Sequence, residues 1–199
     1  MSHERLSALY AAPSELALAK QLDHIDAHAA HFIAQSPFLV ISTSGAQGRC
    51  DASPRGDAPG FVVVAGPSRL VLPDRPGNNR IDSLKNIEVN PCVGLLFFIP
   101  GVLETLRVNG RARVSDDPQL LASMAVDGRL PRSALEVSVE EVYFHCGKAL
   151  KRSRLWEPAA HERAHTIPSL GRILADQTGR ISAEEAEVRV RHGYETGLY

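Results

Sequence analysis

Two arginines lie close together where a predicted strand leads through a loop into a predicted helix. The segment 70–84 starts with apolar residues, contains two prolines and a glycine that interrupt regular structure, and ends in a helical pattern. The first turn of a helix offers free backbone N–H groups and the positive end of the helix dipole. Arg75 and Arg80 flank this turn, and each guanidinium group can bind an oxyanion through two hydrogen bonds. These features fit a site for a phosphate or another small anion.

The same segment also fits a helix start without a ligand. Asn78 or Asn79 can cap this helix, which the pattern predicts to continue to about Val89 and to stop at Asn90-Pro91. The local features therefore leave two interpretations open: an anion site, or an ordinary capped helix with solvated arginines. The sequence contains neither G-x-G-x-x-G nor G-x-x-x-x-G-K-[ST], so a phosphate site here would be of neither the Rossmann nor the P-loop type.

The composition excludes several classes of partner. Of the 199 residues, 44% are hydrophobic and 23% are charged, which is ordinary for a soluble globular protein with one sizeable core. A formal net charge of −1 and the lack of a block of lysines and arginines argue against nucleic acid and membrane surfaces as partners. The longest apolar run, 93–99, is too short to span a bilayer, and the first residues lack the pattern of a signal peptide. We therefore expect a cytoplasmic protein.

Neither the cysteines nor the histidines form a strong metal-binding pattern. The three cysteines are Cys50, Cys92 and Cys146. They are widely separated and form no C-x-x-C pair, so free thiols are expected. A helix predicted over 14–35 carries His24, His28 and His31. Their spacing places them on one side of that helix, but no acidic residue completes a known ligand pattern, so we expect a histidine-rich polar face and no metal.

The hydrophobic pattern predicts six or seven strands, most of them joined by short turns, with helices at a few points. The predicted strands cover 38–43, 49–54, 61–65, 69–72, 92–99, 103–114 and 135–144. Residues 53–57 are predicted to form a polar turn. The alternation along the last strand slips by one position at Glu140-Glu141, which is typical of a β-bulge. Because strands do not alternate with helices, a mostly antiparallel barrel with peripheral helices fits better than a parallel doubly wound sheet.

The order of these elements resembles the pyridoxamine-phosphate-oxidase-like family of FMN-binding split barrels. The resemblance is carried by the loop 72–80 between a strand and a helix, the Asn90-Pro91 pair and the buried strand 93–97. Three further motifs, at 53–57, 105–110 and 145–149, are similar to one uncharacterised bacterial branch. The resemblance covers about residues 14–158. It implies a mainly β (α+β) fold, a six- to seven-stranded antiparallel split β-barrel with peripheral helices, preceded by an extension over 1–13 and followed by a helical appendage over 159–199.

The resemblance also implies a homodimer with FMN at the subunit interface. The FMN phosphate would then be held by the start of the helix after the loop, with a neighbouring polar turn lining the same pocket. The residues implied for this half of the site are Arg55, Arg75, Asn78, Asn79, Arg80 and Ser83. The partner subunit would supply the opposite edge from a basic helical segment and its tryptophan. The candidates there are Arg107, Lys148, Arg152 and Trp156.

Three functions follow from the resemblance. The first is an FMN-dependent oxidoreductase that passes electrons between a reduced nicotinamide donor and an unidentified small molecule, with the hydride chemistry supplied by the flavin. The second is a non-catalytic flavin-binding protein. The third is a haem-binding or haem-degrading protein, for which His145 is the nominal axial ligand. The chain lacks the Arg-Leu-His block with which true pyridoxamine phosphate oxidases hold their substrate, and its spacing of residues predicts no general acid or base.

Overall fold

The computed structural model describes the backbone of residues 1–199 and every side chain except those at positions 3, 161, 163 and 164. The strands are β1 Phe38–Ser44, β2 Cys50–Gly56, β3 Val63–Gly66, β4 Arg69–Pro73, β5 Cys92–Phe98, β6 Thr105–Ser115 and β7 Ala134–His145. They form one sheet in the order β2-β1-β5-β6-β7-β4-β3, and every neighbouring pair is antiparallel. In the described part of the chain, the edge strands β2 and β3 do not pair with each other, so the sheet is not closed. The predicted α+β fold with six or seven antiparallel strands is confirmed, and the number of strands is seven.

Helices surround this sheet. They are α1 His3–Leu9, α2 Glu15–Ala19, α3 Ala27–Gln35, α4 Asp82–Val89, α5 Pro118–Ser123, α6 Lys148–Ser153, α7 Pro158–His161, α8 Leu170–Thr178 and α9 Ala183–Thr196, with a 3₁₀ helix over Glu162–Thr166 between α7 and α8. Among the described residues, no helix combines the length and the apolar character needed to cross a bilayer.

The main core lies on one face of the curved sheet. Strand β5 shows the pattern clearly, because Val93, Leu95 and Phe97 alternate inward and are buried. Helix α3 covers part of this face with Phe32 and Ile33, which belong to the same cluster of buried residues. The apolar alternation of the strands therefore fixes which face is buried and leaves the opposite residues available for a site.

The helix predicted over 14–35 is wrong in its middle part. The chain leaves the helix after α2 because Leu22 forms a bridge with Val142 of β7, with N–O distances of 2.9 Å and 2.8 Å. The chain re-enters a helix at α3, where Asp26 Oδ1 accepts a hydrogen bond from the backbone N–H of Ala29 at 2.8 Å. This break places His24 outside the helix that carries the other two histidines.

The predicted bulge lies where the alternation slips. Asn109 of β6 is opposite Glu141 of β7, but the next residue, Gly110, is opposite Val139, so Glu140 is the extra residue. Val139 and Val142 are both buried on either side of the bulge. The bulge thus lets β7 keep apolar side chains on the core face although its alternation changes phase.

The last two helices form a close antiparallel pair. Ser182 Oγ accepts from the backbone N–H of Glu185 at 3.1 Å and caps the start of α9. A β-carbon at Gly171 of α8 would lie 2.7 Å from the backbone nitrogen of Glu187 in α9, so the two helices approach closely at this glycine. The residues after α9 lead back to the sheet, where Tyr199 contacts Asp57 just after β2.

Candidate functional site

A cleft of about 540 Å³ lies between β2 and the loop that joins β4 to α4. The predicted residues of this half of the site all line it: Arg55, Arg75, Asn78, Asn79, Arg80 and Ser83. Two contacts hold this region together: one joins the first turn of α4 to β2, and the other joins the loop to the residue that follows β2. Ser83 Oγ donates to Asp51 Oδ2 at 2.8 Å, and Arg75 Nε donates to Asp57 Oδ2 at 2.6 Å. The structure therefore brings residues from two distant parts of the chain to one place.

The polar turn predicted at 53–57 is wrong, because residues 50–56 form the edge strand β2. In this strand, Asp51, Ser53 and Arg55 alternate with exposed residues and line the cleft. Pro54 is tolerated here because an edge strand can lack one backbone N–H without breaking an interior ladder. The strand conformation presents every second side chain to the cleft, which a turn would not do.

The asparagine cap predicted for α4 is also wrong. The helix begins at Asp82, and its N-cap position is Ile81, a left-handed residue with φ 52° that makes no side-chain capping bond. Asn78 Oδ1 instead accepts from the backbone N–H of Arg80 at 3.0 Å, and Asn79 is left-handed with φ 58°. Because isoleucine is β-branched, the left-handed conformation of Ile81 costs about 1–3 kcal/mol of strain. The result is a helix start without a side-chain cap that borders the cleft.

The arginines of the cleft differ in how firmly they are held. The Arg80 side chain is 73% exposed, and its contact is with Asp82 Oδ2, 2.8 Å from Nε. Arg55 Nη1 donates to the carbonyl oxygen of Pro54 at 2.9 Å. Arg75 is only 15% exposed; beyond Asp57, it donates from Nη1 to the carbonyl oxygen of Met124 at 3.0 Å. Arg80 is thus free to turn toward a ligand, whereas Arg75 holds the loop in place.

Sequence reasoning missed one arginine of the cleft. Arg132 lines it and donates from Nη1 to Asn79 Oδ1 at 3.2 Å. Arg132 reaches the cleft because β4 pairs with β7. Just beyond this pairing, the backbone N–H of Asp74 donates to the carbonyl oxygen of Ser133, with an N–O distance of 2.9 Å. Nothing in the local sequence around Arg132 signals this position, because the pairing joins segments about 60 residues apart.

Carboxylates also line the cleft, so negative charges lie among its positive ones. Asp51, Asp74 and Asp82 face the four arginines. Burial raises the pKa of Asp74 above its ordinary value, although the charges of Arg55 and Arg132 act in the opposite direction. Asp74 is therefore the carboxylate of the cleft whose ionised form is disfavoured, and its negative charge opposes the binding of an anion.

We expect Asp74→Asn to strengthen the binding of inorganic phosphate at pH 7 by about 1 kcal/mol, or roughly fivefold. The variant should also be more stable at pH 7. The pKa of Asp74 is higher in the folded protein than the value of about 3.9 in the unfolded chain. The ionised carboxylate therefore lowers the free energy of unfolding most above the folded pKa, and this effect disappears below about pH 3.9. Calorimetric titration with phosphate and urea unfolding between pH 3.5 and 7 measure both effects. Asp176→Asn, in α8, is the control; equal phosphate affinity in both variants would show that Asp74 does not face the anion.

The residues predicted for the opposite edge do not line this cleft. Lys148 and Arg152 are exposed on α6, which follows the end of β7 at His145, whereas the cleft adjoins the start of β7. The 12 residues of β7 span about 36 Å along the strand. Trp156 Nε1 donates to the carbonyl oxygen of Val102 at 2.8 Å. In the described chain these side chains and the cleft are thus separate.

Arg107 and His145 belong to a second polar group, near the far end of β7. Arg107 Nη1 donates to Tyr143 Oη at 2.8 Å, and the ring of Tyr143 lies 5.0 Å from that of His145. Among the described side chains, Nε2 of His145 is buried without a hydrogen-bond partner. Burial lowers the pKa of His145, and the charges of Arg107 and Lys20 lower it further. His145 is therefore neutral at physiological pH.

Comparison with known proteins identifies the fold. The family model described as pyridoxamine 5'-phosphate oxidase matches residues 25–146, which is more than half of the chain. The chain belongs to this family. The match includes all seven strands and the whole cleft, and it ends before the basic helix α6 and the α8–α9 pair. The family predicted from the sequence motifs is confirmed.

Several solved structures are similar to this chain, all of them at low sequence identity. A variant of HupZ from Group A Streptococcus has a TM-score of 0.50 at 16% identity, with 61% of this chain and 99% of that chain covered. A Clostridium acetobutylicum protein related to general stress protein 26 gives 0.42 at 16%, with 58% and 84% covered. HutZ, described as the haem storage protein of Vibrio cholerae, gives 0.43 at 17%, with 61% and 94% covered. No curated protein matches the sequence.

Proposed function

We propose that this member of the pyridoxamine 5'-phosphate oxidase family binds FMN and that the cleft holds the FMN phosphate. The observation that supports this most strongly is the convergence at one cleft of the uncapped start of α4 with Arg55, Arg80 and Arg132. A helix start without a side-chain cap leaves backbone N–H groups available for a phosphate. Guanidinium groups add charge-assisted hydrogen bonds to the same oxygens. The groups of the cleft therefore suit a phosphate dianion.

The residues of the cleft divide into those that contact the phosphate and those that hold the cleft. Arg80, whose side chain is exposed, contacts the phosphate together with the backbone of Asn79 and Ser83. Arg55 and Arg132 contribute positive charge from the walls. Arg75 does not contact the phosphate in this proposal; its ion pair with Asp57 holds the loop against the end of β2. This division of roles goes beyond the sequence interpretation, which placed Arg75 beside the phosphate.

The ring of the flavin needs a second subunit in this proposal. Lys148, Arg152 and Trp156, with Arg107, lie outside the cleft of their own chain, so they contribute only if a partner chain brings them to it. A homodimer with FMN at its interface meets this requirement. The expected oligomeric state is thus a dimer, and a monomer on sizing with light scattering would contradict the proposed interface.

The proposed activity is electron transfer between a reduced nicotinamide and an unidentified small molecule. When bound, FMN supplies the hydride chemistry. The chain's own part is to hold the phosphate, to shield the ring from water and to place hydrogen-bond donors at its polar edge. Reduction of bound flavin by NADH or NADPH, followed by turnover with an acceptor, supports an enzyme. Reduction without turnover supports the alternative, a non-catalytic flavin-binding protein.

Haem binding is the second candidate function, and the unpartnered Nε2 of His145 favours it. An imidazole nitrogen with no hydrogen bond can ligate iron. This nitrogen is buried, however, so iron could reach it only after the surrounding residues of the same chain moved. The absorption spectrum of the purified protein distinguishes the two candidates, because flavin bands support the first and a Soret band supports the second.

Replacing Arg80 with alanine should weaken FMN binding by about 1–3 kcal/mol, because a charge-assisted contact to the phosphate is lost. Riboflavin has the same ring without the phosphate, so its affinity should not change. Fluorescence titration of both ligands measures the difference. Arg189→Ala, which also removes an exposed arginine from an ion pair, is the matched control. Equal loss of FMN and riboflavin affinity in Arg80→Ala would show that the loop does not bind the phosphate.

A further inference from the structure

Tyr199, the last residue of the sequence, packs against the ion pair behind the cleft. Its Oη donates to Asp57 Oδ1 at 2.6 Å, while Asp57 Oδ2 accepts from Arg75 Nε at 2.6 Å. The guanidinium carbon of Arg75 lies 5.5 Å from the centre of the Tyr199 ring. Arg129 Nη1 donates to the backbone carbonyl oxygen of Tyr199 at 3.0 Å. One residue of the tail therefore contacts both members of the ion pair and is itself held by Arg129.

This contact depends on a part of the chain outside the family match. The match ends at residue 146, and after the α8–α9 pair the chain returns to the sheet. Arg129 lies between α5 and β7, within the match, so Tyr199 contacts two separate regions of the family domain. The arrangement is a property of this chain that the family model does not describe.

Tyr199 completes the burial of Asp57. Only 3% of the Asp57 side chain is exposed, and its Oδ1 accepts from the Tyr199 hydroxyl and from the backbone N–H of Ala58 at 2.7 Å. The hydrogen bond to Asp57 raises the pKa of the Tyr199 phenol above its ordinary value. Loss of Tyr199 would open Asp57 to water, and a hydrated carboxylate holds Arg75 less firmly.

We propose that Tyr199 is a positioning residue of the phosphate cleft. By shielding the ion pair of Asp57 and Arg75 from water, it keeps the segment 74–84, which is the loop and the first turn of α4, in the conformation in which Arg80 and the helix start face the anion. The proposal rests on the proposed phosphate function of this cleft. Preorganisation of this kind improves affinity because less ordering is required on binding.

The test compares Tyr199→Phe, which removes only the hydroxyl, with Tyr199→Ala, which also removes the ring. Tyr194→Phe is the control, because Tyr194 is exposed in α9. We expect Tyr199→Phe to weaken the affinity for inorganic phosphate and for FMN about threefold and Tyr199→Ala to weaken it further, with riboflavin affinity unchanged. Hydrogen exchange at 75–84 should become faster in the same order, while the control behaves as wild type.

Two other outcomes would overturn one of the two proposals. If Tyr199→Ala lowers the melting temperature but leaves phosphate affinity and hydrogen exchange at 75–84 as in wild type, the residue is only structural and the proposal is wrong. If the wild-type protein binds neither phosphate nor FMN, the proposed function fails. Hydrogen exchange at 75–84 still decides in that case whether Tyr199 orders the loop.

Discussion

Replacing Gly110 with alanine is expected to lower the free energy of unfolding by about 3 kcal/mol. A β-carbon at this position would lie 2.1 Å from the carbonyl oxygen of Ser138, which is far closer than folded proteins allow. Both residues belong to the backbone of paired strands in the middle of the sheet, β6 and β7. No flexible side chain can move aside, so the strands themselves must separate.

Gly110 is required because the bulge lies opposite it. The extra residue, Glu140, brings the backbone of β7 close to Gly110 and increases the local twist. Urea unfolding followed by circular dichroism measures the loss. Gly193→Ala is the control: nothing lies within 4 Å of its added β-carbon, and alanine in the exposed helix α9 should raise stability by about 0.5–1 kcal/mol. A wild-type midpoint for Gly110→Ala would contradict the register of β6 and β7.

The sequence predicts the strands well because each of them has a buried face. Val93, Leu95 and Phe97 alternate inward, and the slip at Glu140 is visible as a change of phase. The helix prediction over 14–35 fails for the opposite reason. Its apolar spacing continues through Leu22, but the hydrogen bonds of that residue go to Val142, 120 positions away. A local pattern cannot report a partner at that distance.

The residues that line the cleft are predicted in part, while their binding role stays a prediction. The charge of Arg80 beside a predicted helix start marks it as a candidate, and the family resemblance adds Arg55; both line the cleft. The conformation that shapes the cleft is not predictable in the same way. Ile81 adopts a left-handed conformation that β-branched residues rarely take, and no sequence signal marks it. Arg132 reaches the cleft through strand pairing, so it becomes a candidate only after the fold is known.

Removal of the Asp57 carboxylate should also cost about 3 kcal/mol of unfolding free energy. In Asp57→Ala, Arg75 remains 85% buried in the folded state without its carboxylate partner, and loss of one member of a buried pair is strongly destabilising. The loop 74–84 loses its connection to the end of β2, so the phosphate affinity should fall as well. Thermal and urea unfolding measure the first effect, and phosphate titration measures the second.

The pH dependence of the stability lost in Asp57→Ala shows whether the charge of Asp57 causes the loss. Burial raises the pKa of Asp57, but hydrogen bonds from Tyr199, Ala58 and Arg75 outweigh it and hold the pKa below its ordinary value. The stabilisation is therefore present above about pH 3.9 and is lost as the pH falls through the folded pKa. Wild type and Asp57→Ala should thus converge in stability in acid. Asp176→Ala, which removes the carboxylate of an exposed ion pair, should change the midpoint little at any pH. A loss in Asp57→Ala that stayed constant down to pH 2 would mean that packing around Asp57, rather than its charge, holds the loop.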